Sequence, residues 1–204
     1  MALLEPVVSF LVDTIGQFGY WGILALMFLE SSFFPFPSEV VIIPAGYLAF
    51  QGEMNLLIVI LLGTLGSLLG AVFNYFLAMK LGRSFLLTYG KYFFFTPKHL
   101  IQVEEFFAKY GVISTFTARL VIGIRQYISL PAGLARMPML LFCLFTVLGS
   151  CLWVSFLAGL GYFLGDNEAL IKEYLQIITF AIVSVVIVVA IWFVRNIFQN
   201  KVSP

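Results

Sequence analysis

The sequence predicts an all-α integral membrane protein built as an inverted repeat, with two opposed re-entrant hairpins plus transmembrane helices. Three observations predict it. Of 204 residues, 62% are hydrophobic and only 10% charged, with a mean hydropathy of +1.06. That much apolar side chain cannot hide inside one small water-soluble core, so the solvent is lipid. The tripeptide Pro-Ala-Gly occurs at residues 44–46 and again at 131–133, a helix-breaking signal in each half of a membrane-like chain. Each copy follows ionisable residues of one sign, Glu30 and Glu39 before the first and Arg119 and Arg125 before the second.

Residues 1–19 read as a retained amphipathic helix. They lack an early Lys or Arg, Glu5 and Asp13 interrupt the apolar run, Pro6 suits a first turn, and Gly16 and Gly19 suit an end. The first hairpin covers about 20–52. Its helix from Tyr20 meets Glu30, Ser31 and Ser32 and then Pro35 and Pro37, two residues without amide protons that cannot sit in a regular helix. Pro44 and Gly46 supply a second irregular point before Gln51, Gly52 and Glu53 return to water. A segment that breaks and leaves so soon is a re-entrant hairpin, and its backbone must be buried in protein or line a cavity.

A span over 55–81 follows, carrying one charge, Lys80, near its end, and Gly66 and Gly70 give it a close helix-packing face. The segment 82–110 holds apolar residues at helical spacing from Leu100 to Tyr110, as expected of a helix along the membrane surface, and His99, the only histidine, is solvated there. Hairpin two covers about 111–137, with Arg119, Gly123, Arg125, Pro131 and Gly133. The span 138–165 carries Cys143 and Cys151 as small packing residues, with no histidine near to complete a metal set. Residues 175–204 form a C-terminal transmembrane helix and tail; Leu175–Val194 has no charge at all.

Five basic residues against two acids between Lys80 and Lys109 put 83–110 in the cytoplasm. Residues 51–55 then lie outside, and so does the acidic loop Asp166–Glu173, while Arg195 and Lys201 end inside. The two hairpins consequently dip from opposite faces, as an inverted repeat requires.

An ionisable group at membrane depth costs from ~2.5 to well over 10 kcal/mol, so it persists where it is paired, wet or functional. Glu30, Glu39, Arg119 and Arg125 would meet if the hairpin tips met. Guanidinium forks match phosphate oxygens and point to an anionic substrate; carboxylates in the same cavity point to protons. The alternatives are a structural or assembly factor, in which the charges only pin the hairpins, and an intramembrane carboxylate hydrolase. Histidine-based hydrolysis lacks a histidine inside a span. The 11 basic and 10 acidic residues leave no basic stripe for nucleic acid, and nothing requires a cofactor. The glycine-rich faces allow a homodimer.

The run Glu30-Ser-Ser-Phe-Phe-Pro35-Phe-Pro37-Ser38-Glu39, then Pro44-Ala-Gly-Tyr-Leu, Lys80-Leu-Gly-Arg83, and Phe116-Thr-Ala-Arg119 leading to Arg125 and Ser129-Leu-Pro-Ala-Gly-Leu-Ala-Arg-Met137 resembles the DedA family of bacterial inner-membrane proteins. This is the SNARE-associated or VTT-domain superfamily, here of the Pro-x-Pro-Ser-Glu type, and the resemblance covers about residues 20–165. It implies opposed re-entrant hairpins, a multi-pass inner-membrane location and a role in moving lipids: members recycle undecaprenyl phosphate or flip phosphatidylethanolamine, and others are proton-motive-force-dependent transporters. It also implies that Glu30, Glu39, Arg119 and Arg125 are needed for function; their chemistry assigns Glu30 and Glu39 to proton coupling and Arg119 and Arg125 to substrate binding, with no catalytic or metal site. One departure is Ile122, where members often carry proline, so the break there rests on Gly123.

Overall fold

Helix is the only regular structure in the computed structural model, which describes residues 18–32, 37–82, 97–121 and 125–165. The elements are α1 (Tyr20–Ser32), α2 (Glu39–Phe50), α3 (Leu56–Leu77) continued by a π-helical turn (Ala78–Gly82), α4 (Pro97–Arg119), α5 (Ser129–Leu134) and α6 (Met139–Phe163). Several expectations lie outside the described residues: the N-terminal helix but for its last two residues, Pro35, Ile122, Gly123, residues 83–96, the acidic loop 166–173, and the C-terminal helix over 175–204.

The two expected spans are present, at 27 residues for Leu56–Gly82 and 25 for Met139–Phe163, each long enough for ~30 Å of hydrocarbon at ~1.5 Å per residue. Asn55 starts α3: its Oδ1 accepts from the amides of Leu57 (2.9 Å) and Ile58 (3.3 Å), and its own amide donates to the Tyr20 hydroxyl at 2.7 Å, which fixes α1 beside α3. Leu57, Leu61, Leu65, Leu69 and Phe73 form an exposed stripe at four-residue spacing, and Leu140, Leu144, Leu148, Leu152 and Phe156 repeat it on α6. Apolar stripes of that length on the outside are what lipid wets and water does not.

The elements fall into two runs of three, each a helix, a short helix and a long apolar helix, and the short helices exchange sides: α2 packs on α6 and α5 packs on α3. Both short helices end alike. Gly52 (φ 82°) follows α2 and Arg136 (φ 50°) follows α5, each closed by an i−5 bond, Glu53 to Leu48 and Met137 to Ala132. Both long helices carry Leu-Gly-Ser with the glycine ten residues after the helix start, at Gly66 and Gly149. A Cβ on Gly66 would strike Met27 and the Leu24 carbonyl of α1, and one on Gly149 would strike Arg119 of α4. These glycines therefore admit the charge-bearing helix of each half.

Two expectations need correction. Pro44, Gly46, Pro131 and Gly133 do not break the chain; α2 and α5 run through them. Pro131 occupies the first turn of α5, where amide protons have no partner within the helix, so its ring costs no hydrogen bond. Pro44 lies deeper, in a helix buried on every side at that level, where tertiary packing outweighs one lost bond. The glycines serve close approach instead: a Cβ on Gly46 would collide with the Ala158 carbonyl of α6, and one on Gly133 with the Tyr75 carbonyl of α3. Nor does a boundary fall at Gly111, because the expected surface helix and the first limb of hairpin two are one helix, α4, with Gly111 buried against Phe107 and Met137. Pro37, in contrast, stands outside helix just before α2.

One apolar core forms around Ile23, Met27, Ile42, Val59, Val154 and Leu157, and a second around Tyr75, Phe107, Met137 and Phe142. The polar site lies where α1, α3, α4 and α6 converge.

Candidate functional site

All four ionisable residues singled out in the sequence are buried: Glu30, Glu39 and Arg119 are 3% exposed and Arg125 is 7% exposed. Glu30 is held at the end of α1, whose last carbonyls are satisfied from across the bundle. The Asn74 amide of α3 donates to the Ser31 carbonyl at 2.9 Å and to the Ser32 carbonyl at 2.5 Å. Orphan carbonyls at a helix end need such partners when water is excluded.

Arg125 reaches Glu30 across 95 residues of sequence. Its Nη2 donates to Glu30 Oε1 at 2.6 Å and to Ser38 Oγ at 2.6 Å. The Gln126 side-chain amide also donates to Glu30 Oε1, at 3.3 Å, and the Ser31 hydroxyl to Oε2, at 2.9 Å. Three protein donors thus stand where water would otherwise solvate the Glu30 carboxylate. Behind Arg125 lies Trp153 of α6: the guanidinium carbon is 5.2 Å from its ring centroid, within cation–π range, and the indole N–H donates to Ser38 Oγ at 3.2 Å.

Among the described residues the other two charges have no ion-pair partner. Arg119, the last residue of α4, donates from Nη2 to Ser129 Oγ at 2.8 Å, and its buried Nε finds no acceptor among the described residues. Nor does either carboxylate oxygen of Glu39 find a donor among them. Of the acids and arginines of the two halves, Glu30 and Arg125 form one closed pair, and among the described residues Glu39 and Arg119 stay outside it. Glu30, Arg119, Arg125, Ser67, Ser150 and Trp153 line a small cavity that Glu39 does not. It has about 10 Å³ for the centre of a water molecule, room for one water and not for a phosphate group.

Ser38, Asn74, Gln126, Ser129 and Trp153 were not singled out in the sequence. Asn74 had a local signal, an amide inside a long apolar helix. Ser38 and Ser129 lay inside the quoted motifs without a role assigned to them, and Trp153 had no signal, because its partners Ser38 and Arg125 are distant in sequence.

Fold and site together define a helical membrane protein whose two halves meet through buried acids and arginines. The chain belongs to the VTT-domain, or DedA, family: the VTT domain matches residues 36–163. It is 33% identical over 186 residues to an alkaline phosphatase-like protein of Lactococcus lactis subsp. cremoris, covering 89% of this chain and 87% of that one. It is 33% identical over 188 residues to undecaprenyl phosphate transporter A of Bacillus subtilis, covering 92% and 93%. A protein of the same name in Staphylococcus aureus is 27% identical over 196 residues, covering 94% and 97%. No solved structure matches the chain significantly.

Proposed function

We propose that the protein is a multi-pass inner-membrane transporter that moves a phosphate-bearing lipid, such as undecaprenyl phosphate or a phospholipid, across the bilayer and draws on the proton gradient. The observation that carries this reading is the open Nε of Arg119: a buried guanidinium without an anion is costly, and a phosphate oxygen is the acceptor it lacks. The names of the two transporter relatives support the same cargo class. In this reading α1–α2 and α4–α5 are re-entrant hairpins that dip from opposite faces, and the two runs of three helices are an inverted repeat. The matching caps, the exchanged packing of α2 and α5, and the repeated Leu-Gly-Ser support that relation.

The present arrangement is then a closed state. A headgroup arriving beside Arg119 also competes with Glu30 for Arg125, whose Nη2 makes both of its hydrogen bonds to the described residues. A carboxylate released from its guanidinium in a dry cavity exchanges its charge for a proton, which links cargo and proton movement by ordinary electrostatics. Glu39, buried with no hydrogen-bond partner among the described residues, is the second coupling residue.

The Glu30–Arg125 pair equally favours a second reading, in which the charges only pin the two halves and the protein is an assembly factor for membrane homeostasis. Purification decides between them. A phosphate-bearing lipid should accompany the parent protein and be lost from Arg119→Ala; equal recovery of lipid with both proteins contradicts the transport reading.

A further inference from the structure

Ser38 occupies the N-cap position of α2, where a serine hydroxyl ordinarily accepts from an amide of the first turn, yet it makes no cap bond. Its Oγ accepts instead from Arg125 Nη2 and Trp153 Nε1. The cap has been given up for a link between two elements 87 and 115 residues away.

Trp153 is equally out of pattern. Counting from the repeated Leu-Gly-Ser, its equivalent on α3 is Gly70, where a Cβ would strike Ser31 and the Phe28 carbonyl. Where the first half uses a glycine to bring α1 close, the second half places an indole under a guanidinium. A side chain there for packing alone would not need its ring face on Arg125 and its N–H on the hydroxyl that Arg125 also holds.

We propose that Trp153 and Ser38 are positioning residues for anion binding: the indole face and the serine oxygen together clamp the Arg125 guanidinium at the cavity wall. Resting on the transport reading above, this assigns Arg125 a fixed orientation that survives when Glu30 is displaced. The anion meets a guanidinium already in place, which lowers the ordering cost of binding.

The test is calorimetric titration of the purified protein in detergent micelles with farnesyl phosphate, together with thermal unfolding of each variant. Ser38→Ala and Trp153→Leu should each weaken binding about tenfold, and Trp153→Phe, which keeps the ring face, should weaken it less. Ser38→Ala and Trp153→Phe break the same N–H to Oγ link, so the double variant should lose less than the product of the two single losses. Ser38→Ala removes one oxygen and keeps the chain otherwise unchanged, so it remains readable if Trp153→Leu does not fold. Parent-like affinity in both Ser38→Ala and Trp153→Phe, or losses that simply multiply, overturns the clamp. A Trp153 that only packs would lower the unfolding temperature and leave affinity unchanged, which also overturns it. No binding by the parent is a different failure: it removes the anion reading itself.

Discussion

Removing the Glu30–Arg125 pair first by halves and then whole separates transport from pinning. Among the described residues, Arg125→Met leaves the Glu30 carboxylate, 3% exposed, with the Ser31 hydroxyl and the Gln126 amide as its donors. Glu30→Met leaves the Arg125 guanidinium with Ser38 Oγ as its hydrogen-bond acceptor among them and the Trp153 ring beneath it. Breaking a buried pair from one side in this way costs about 3–5 kcal/mol, because the remaining charge is uncompensated. Glu30→Met/Arg125→Met removes both charges and fills the space with side chains of similar length. It leaves Ser38 its Trp153 donor and takes one bond each from Ser31 and Gln126 on the Glu30 side, at about 1 kcal/mol apiece. The double variant should therefore fall within about 2 kcal/mol of the parent, well above either single variant. Thermal unfolding in micelles reads stability, and lipid translocation in proteoliposomes reads function. All three variants should fail to transport, the double one despite its recovered stability. Transport by the double variant at the parent rate would refute the reasoning and leave the pair a structural pin; a double cost equal to the sum of the singles would refute the pairing energetics.

Three other outcomes follow from the same geometry. Arg119→Lys keeps the charge but loses the planar donor edge, so the protein should remain at parent level in membranes while translocation falls at least about tenfold; an equal fall in both would favour pinning. Asn74→Leu strands the Ser31 and Ser32 carbonyls at the end of α1 and should destabilise by about 1–3 kcal/mol, measured by thermal unfolding, with reduced transport because Glu30 loses its anchor. A cysteine at Gln51 should react with an impermeant reagent from outside and one at Lys91 only from inside; labelling of both from one face contradicts opposed hairpins.

The charges were legible because an ionisable residue in an apolar stretch has few explanations, and membrane depth makes each one costly. Glu30, Glu39, Arg119 and Arg125 therefore stood out before any geometry was known. The Pro-Ala-Gly repeats were legible as a pair and misread as breaks: a proline in the first turn (Pro131) or held inside a helix by packing (Pro44) and a glycine at a helix contact leave the same local signature as a turn, and only the neighbouring backbone of Ala158 or Tyr75 distinguishes them. Pairing was harder. Nothing local says that Arg125 faces Glu30 and not Glu39, or that Arg119 ends on a serine, because those choices depend on how the two halves dock. Trp153 was invisible for a related reason, since its departure from the repeat appears only once Gly66 and Gly149 are aligned.

The central claim is that this buried charge set moves an anionic lipid at the expense of a proton gradient, and proteoliposomes with and without an imposed pH difference test it most directly. Undecaprenyl phosphate translocation by the parent should accelerate under the gradient. Glu39→Gln keeps the size of a side chain that has no hydrogen-bond partner among the described residues, so it should fold, bind cargo and transport at a rate that no longer responds to the gradient. A Glu39→Gln protein with the gradient dependence of the parent would contradict proton coupling through this residue, and a parent that moves no lipid under either condition would contradict the account as a whole.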